Sequence, residues 1–285
     1  MRMANHAGRA VLVVSDGKGT DIATASNGRF GPDPQSVYDQ WDAFTAWAAT
    51  TTPVPDVDID KSRLESPSPA PSQVVAIGLN YADHAAEAGF APPTDLPPVF
   101  TKFASSITGP YGEIELPKGG NTDWEAEVVA IIGRTTHRIS ADDAWDHVAG
   151  LTIGQDLSER ILQFVGEAPQ FGFAKSYPGF APMGPWLVTP DELPDRDDLA
   201  LGCAIDGETM QDGRTSKLIF SIPRTLAKLS EVITLNPGDV IFTGTPDGVG
   251  LGMTPQRFLQ PGETLRTWVE GIGEMQHTFK LRRPA

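Results

Sequence analysis

Residues 123–134 read DWEAEVVAIIGR, passing from acidic to β-branched apolar residues and stopping at a glycine. That is the pattern of a strand buried along most of its length, and it commits this region to a sheet. Glu125 and Glu127 stand at its mouth two residues apart, so on a strand both carboxylates project from one face. Two like charges held together beside an apolar strand repel and lose hydration unless a cation or a proton neutralises them. For an isolated Glu-x-Glu a solvated strand entrance is the commoner explanation. Half of a divalent-metal site is the sharper one.

Composition narrows the alternatives. A chain of 285 residues has room for one large domain, or for a small one and a medium one, with ample core. A hydrophobic fraction of 40% beside 25 prolines and 29 glycines describes a loop-rich globular protein. No apolar run approaches the roughly 20 residues of a membrane span. The apolar patch at 10–14 has no cleavage pattern behind it and reads as a strand. A lone cysteine, Cys203, excludes an internal disulfide framework and a thiolate metal cage. The formal charge of −15 disfavours nucleic acid as a partner. A cytoplasmic enzyme of mixed α/β type is the expectation.

In chain order, residues 1–72 predict a small N-terminal α/β domain ending in a connector. Residues 10–14 and 21–25 predict strands about the turn Asp16-Gly17-Lys18-Gly19, and Val37, Trp41, Phe44 and Ala48 recur at helical spacing. The prolines of 51–72 forbid regular helix and mark the connector. From residue 73 onward strand signals are dense. Residues 74–78 form a short buried strand that feeds a short helix closed by Gly89. On that helix His84 and Glu87 lie on one face, within hydrogen-bonding reach. A histidine oriented by a carboxylate is the usual arrangement of a general base; a surface ion pair is the competing account.

Residues 98–103 predict a strand carrying one buried lysine, Lys102. A helix over 141–149 follows from a Ser140 cap and a Gly150 stop. The next strand ends at Asp156, with Arg160 and Gln163 just beyond, and Lys175 lies in a Gly- and Phe-rich loop. Asp206-Gly207 predicts a hairpin turn. Ile222, Leu226, Leu229 and Ile233 form a helical stripe behind Ser221, and further strands are predicted at 239–243, 263–270 and 275–281. Many strands and few helices predict a curled mixed sheet or barrel-like core, not a doubly wound sheet. The glycines at 244–250 lack the ending of a P-loop and the spacing of a dinucleotide fingerprint. The Gly244 amide and Thr245 hydroxyl could hold a small carboxylate; a tight turn explains the same residues equally well.

Five segments in order resemble the fumarylacetoacetate hydrolase superfamily: IGLNYxDHAAE at 77–87, DWExE at 123–127, GxTIGxDxSER at 150–160, GPWLVT at 184–189 and GDVIFTGTPxGVG at 238–250. Each is weak alone; together, at family spacing over residues 73 to 280, they are specific. The resemblance implies a mixed, β-rich α+β fold, with a rolled mixed-sheet catalytic domain over 73–285 behind the small N-terminal domain, usually as a homodimer. It implies magnesium or manganese held by Glu125, Glu127 and Asp156, and an all-oxygen set independently favours a hard ion over zinc. It further implies that His84 and Glu87 activate water, often on a lid, and that Lys175 stabilises a developing enolate. Arg160 and Gln163 would face the substrate, and Gly244 with Thr245 would form a carboxylate-binding turn. This chain departs from the pattern twice. Relatives often have an aspartate shortly after the lysine, where this chain reads Lys175-Ser176-Tyr177-Pro178, and Gln155 replaces the asparagine common before the metal aspartate.

The implied activity is hydrolysis of a C–C bond in a 2,4-diketo acid of acylpyruvate, fumarylpyruvate or diketo-sugar-acid type. Oxaloacetate decarboxylation, or hydration or isomerisation of a keto dioic acid, uses the same enolate and is the alternative; likeness of fold does not choose between them. His84 and Glu87 favour hydrolysis, because decarboxylation gains little from a water-activating base. A binding protein with a merely solvated acidic strand is a third possibility, and the presence of all three carboxylates argues against it. The expected partner is a small keto acid, with neither nucleic acid nor membrane. Its tail is expected to meet the lid after His84, the loop at 177–180 and the other subunit.

Overall fold

The computed structural model describes residues 1–15 and 17–282; Asp16, in the turn expected at 16–19, lies outside them. The strand predicted at 123–134 divides in two. Thr122–Asp123 pairs with Ser158–Glu159 in a two-stranded ribbon, and Ala126–Ile132 lies inside a twelve-stranded sheet with all seven residues buried. Val128, Ala130 and Ile132 enter one core cluster with Ile222, Leu226 and Leu229 of the helix Ile222–Val232. Val129 and Ile131 enter another, with Val37, Trp41 and Phe44 from the N-terminal helices. Burial on both faces is why the sequence reads as a continuous apolar run. Alternation continues the Val129–Ile131 row outward to Glu127 and Glu125 at the strand's open end.

The large sheet is mixed. Val148–Gln155 and Val240–Phe242 flank Ala126–Ile132 antiparallel, while Val74–Ile77 joins Val240–Phe242 in parallel. The register sets Glu127 opposite Gly154. A Cβ at Gly154 would lie 2.5 Å from Val129 and 2.7 Å from Phe242, so the core closes behind Glu127 only around a glycine. A five-stranded sheet built from Glu208–Arg214, Ala200–Ile205, Thr264–Val269, Gly273–Leu281 and Tyr111–Leu116 contributes Leu201, Val269 and Met275 to the first cluster. Arg2–His6 pairs with Ala181–Val188, which brings the N-terminal strands onto the large sheet. The connector adds Val57–Asp58 and Leu64–Glu65 to it. Among the described residues, no helix is long and apolar enough to cross a membrane.

Three local expectations are corrected. The helix expected over 141–149 is a single 3-10 turn, Ala144–His147, followed directly by the strand Val148–Gln155. Ser140 does accept from the Asp143 amide at 3.2 Å. Pairing of Val148 with Ile132 then captures the chain as strand, tertiary pairing overriding the local signal. The segment 21–25 is a helical turn, Ile22–Ala25, because the Asp21 carboxylate accepts from the Thr24 amide and caps it. The helical repeat from Val37 to Ala48 spans two helices, Pro34–Tyr38 and Trp41–Thr50.

His277 in the second sheet hydrogen-bonds the Gly109 carbonyl through Nε2 at 3.0 Å, while its buried Nδ1 has no partner among the described residues. Burial pushes its pKa down to about 4. Below its ordinary value near 6.5 the unfolded chain therefore binds a proton that the folded chain refuses, and stability is lost as pH falls from about 6.5 toward 4. Over two pH units this amounts to about 2–3 kcal/mol. Denaturant melts at pH 7 and pH 4.5 should show a loss smaller by that amount in His277→Gln than in the wild type.

Candidate metal and catalytic site

Six buried side chains form a chain of contacts that alternates in sign. Asp123 accepts from Arg160 Nε at 2.8 Å, and Arg160 Nη2 donates to Glu125 Oε1 at 2.7 Å. The other oxygen of Glu125 meets Lys175 Nζ at 2.5 Å, and the same ammonium reaches Asp156 Oδ2 at 2.6 Å. Asp156 Oδ1 then accepts from Lys102 Nζ at 2.5 Å, and Lys102 also donates to the Lys175 carbonyl. Three carboxylates and three cations balance. Glu127 stands outside the series: its Oε2 accepts from the Gly244 amide at 2.7 Å, and among the described residues no Lys or Arg pairs with it.

The excess negative charge thus falls on Glu127. Burial, reinforced by the charges of Asp156 and Glu125, pushes its carboxyl well above the usual carboxylate range. Glu125 goes the other way: burial would raise it, but Lys175 and Arg160 outweigh burial and hold it far below that range. Lys175 is buried too, and Asp156 and Glu125 keep its ammonium above the ordinary lysine value. Ligand oxygens of Glu125, Glu127 and Asp156 lie within 4.8 Å of one another. A buried three-carboxylate cluster with one uncompensated charge fits a hard divalent cation, which would supply the missing positive charge through oxygen ligands alone.

Buried amides hold this geometry. Between the strands ending at Asp123 and beginning at Ala126, the Glu125 amide donates to Gln155 Oε1 at 2.8 Å, and the Ala126 amide donates to Gln211 Oε1 at 2.9 Å. Gln155 therefore fixes the backbone of one member of the three-carboxylate cluster. Gln211 also donates to Thr245 Oγ1 at 2.8 Å, tying the acidic strand to the 244–250 loop. Neither Gln211 nor Lys102 was assigned a role from sequence. The Lys102 position carried the signal of a charged residue in an apolar strand, but its partner Asp156 lies 54 residues away. Asn80 was likewise missed. Its amide donates to the carbonyls of Phe220 and Thr243 and accepts from the Phe220 amide, anchoring the start of the helix Ala82–Glu87. Leu79 beside it takes φ of 53°, a left-handed conformation uncommon outside glycine.

That helix carries His84, whose Nδ1 lies 2.9 Å from Glu87 Oε1, while Glu87 Oε2 accepts from the Gly248 amide at 3.0 Å. With Glu87 as acceptor, Nδ1 bears the proton and Nε2 is the nitrogen left for chemistry. His84, Glu125, Glu127, Arg160, Gln163 and Lys175 all line one cavity of about 190 Å³, and Thr245 joins them. Three elements expected to meet a ligand also make contacts within the protein. Arg160 directs Nε, Nη1 and Nη2 at Asp123, Gln163 and Glu125, so its donors hold the protein's own groups in place. The Gly244 amide is engaged by Glu127, and the Thr245 hydroxyl donates to the Ala126 carbonyl, so the turn secures the acidic strand. The loop at 177–180 packs Tyr177 on Phe180 away from the cavity, whose aromatic lining comes from Phe90, Phe100, Phe164 and Phe171.

Two measurements follow from this geometry. Mn²⁺ at a hundredfold excess over its Kd should stabilise the wild type by about 2.7 kcal/mol, read as an upward shift in Tm that Glu127→Ala abolishes. Arg160→Met should lower stability by about 3–5 kcal/mol, because Asp123 and Glu125 lose their shared countercharge inside the protein; unchanged denaturant melts would return Arg160 to a purely ligand-facing role.

Comparison with known proteins bears on the same residues. The family model for the fumarylacetoacetate (FAA) hydrolase C-terminal domain matches residues 73–280. A protein of Burkholderia lata, provisionally named a hydrolase, is 47% identical over 211 residues, 73% of this chain and 74% of its own length. Among solved structures, a Mycobacterium smegmatis protein provisionally named HpcE is 54% identical, with a TM-score of 0.95 over 99% of this chain and all of that one. A Mycobacterium abscessus protein described as a probable 2-hydroxyhepta-2,4-diene-1,7-dioate isomerase is 28% identical, with a TM-score of 0.83 over 99% of each chain. The maleylpyruvate hydrolase of Sphingobium sp. SYK-6, solved with manganese(II) and pyruvate, is also 28% identical, with a TM-score of 0.75 over 99% and 100% of the two chains. The mixed, β-rich α+β fold is shared throughout. With the sequence of residues 73–280 and the whole fold matched in this way, the chain belongs to the fumarylacetoacetate hydrolase family.

Proposed function

We propose that this chain is a Mg²⁺- or Mn²⁺-dependent hydrolase that splits a C–C bond of a 2,4-diketo acid. One observation carries this reading: His84, bonded to Glu87, lines the same cavity as Glu125 and Glu127, and Lys175, which lines it too, sits between Glu125 and Asp156 of the three-carboxylate cluster. Glu125, Glu127 and Asp156 would hold the divalent ion, which when bound supplies positive charge where an enolate oxygen develops. His84 takes a proton from water at Nε2 while Glu87 holds Nδ1. The water oxygen bonds to C4, the C3–C4 bond breaks, and its electron pair stays on the three-carbon fragment as the enolate of pyruvate. Lys175 offers its N–H groups to the oxygen that gains charge. The imidazolium returns its proton to C3, giving pyruvate, and the acyl half leaves as a carboxylic acid that ionises in water. The relative solved with manganese(II) and pyruvate supports the class of ion and the keto acid head.

The relative described as a dioate isomerase supports a second reading, in which the same cluster stabilises an enolate without a water nucleophile. A homodimer is the assembly proposed; the exposed apolar side chains Phe103, Ile161, Val165 and Phe173 are the kind of surface that a second copy would cover. His84→Ala separates hydrolysis from the alternative. Assayed with magnesium, it should lose diketo acid hydrolysis by at least about a hundredfold while retaining part of any oxaloacetate decarboxylation. Equal loss of both activities would count against water activation by His84.

A further inference from the structure

The proposed reaction uses the keto acid head and leaves the substrate's other end undefined. That end has to fit what is left of the cavity once the head reaches the carboxylates. The walls available to it are Ile77, Leu79, Phe90, Phe100, Phe164 and Phe171. Both cations of the lining are already engaged, Arg160 by Asp123, Gln163 and Glu125, and Lys175 by Glu125 and Asp156. Lys102 is buried against Asp156 and the Lys175 carbonyl.

The chain segments bordering the cavity bring no further cation, however they move. Residues 85–101, 161–174 and 244–256 contain no Lys or Arg, whereas they carry Glu87, Asp95, Glu167 and Asp247. Arg257, just past the third segment, stacks over Trp124 and pairs with Glu263. Arg224 touches the first segment through the Thr94 carbonyl, but its guanidinium lies over Phe220 and also donates to the Ile219 carbonyl. A carboxylate at the remote end of the substrate would sit among aromatic rings without a countercharge, a placement that is strongly disfavoured. The space is also limited. At about 190 Å³ the cavity is of the same order as the roughly 150 Å³ apolar cavities that take up one benzene, and the head must share it.

We propose that the substrate's remote end is a short, uncharged, apolar alkanoyl or aroyl group, and that the cavity selects against a second carboxylate. This inference rests on the diketo acid reading for the head but concerns a separate part of the molecule. It is tested with a matched pair of compounds, 2,4-dioxoheptanoate and 2,4-dioxoheptanedioate, which differ only in a terminal methyl or carboxylate. With the wild-type protein and magnesium, kcat/KM for the monoacid should exceed that for the diacid by at least about tenfold. Equal rates, or a preference for the diacid, would overturn the inference and direct attention to Arg224. Titration calorimetry of both compounds with the magnesium-loaded protein distinguishes the two ways of failing. If neither is cleaved yet the monoacid binds at least about tenfold tighter, the hydrolase reading falls and the tail inference stands. If neither is cleaved and binding does not discriminate, the tail inference falls as well.

Discussion

Glu125 can sit buried at the mouth of an apolar strand because Arg160 and Lys175 take one carboxylate oxygen each. Every other feature of the site depends on that arrangement. The alternation from Asp123 through Arg160, Glu125, Lys175 and Asp156 to Lys102 neutralises six charges pairwise and leaves Glu127 as the point where a further positive charge is wanted. A buried ion pair contributes little net stability, since desolvation consumes most of its Coulombic gain. What the series provides is placement. Each carboxylate oxygen is held by a named donor, and the protein bears the cost of dehydrating these groups during folding and not at the moment a substrate arrives.

Much of this was legible in the sequence where the signal is local. The run after Glu125 is apolar on both faces because two core clusters claim alternate side chains, and that produces an unbroken stretch of β-branched residues. Asp206-Gly207 turns the hairpin between Ala200–Ile205 and Glu208–Arg214, and Ser221 caps Ile222–Val232 through the Arg224 amide. His84 and Glu87 meet because three residues on a helix nearly complete a turn. Family motifs added Asp156 and Lys175, which no local pattern would have joined to Glu125.

The remainder was hidden because it depends on contacts remote in sequence. Lys102 reads as an oddity in a short strand until Asp156 is beside it, and Gln211 as an ordinary hairpin residue until the Ala126 amide is seen to need an acceptor. The segment 141–149 carries real helix signals, yet Val148 and Ala149 are worth more as strand between Ile132 and the core. Arg160, Gly244 and Thr245 illustrate a different limit. Sequence can say that a donor belongs to a site, but whether it faces a ligand or the protein's own acceptor depends on which acceptor is nearer in the fold.

The glycine-rich loop at 244–252 has a further consequence. Its backbone amides reach three separate carboxylates: Gly244 holds Glu127, Gly248 holds Glu87, and Gly250 and Leu251 hold Asp123. A side chain at Gly252 would collide with Glu87, with Cβ 2.6 Å from its oxygen. The loop therefore acts as a ruler whose peptide spacing sets the distance between the helix Ala82–Glu87 and the acidic strand. Its length is fixed by these contacts: adding or removing a single residue would throw Glu87, Glu127 and the Asp123–Arg160 pair out of register together.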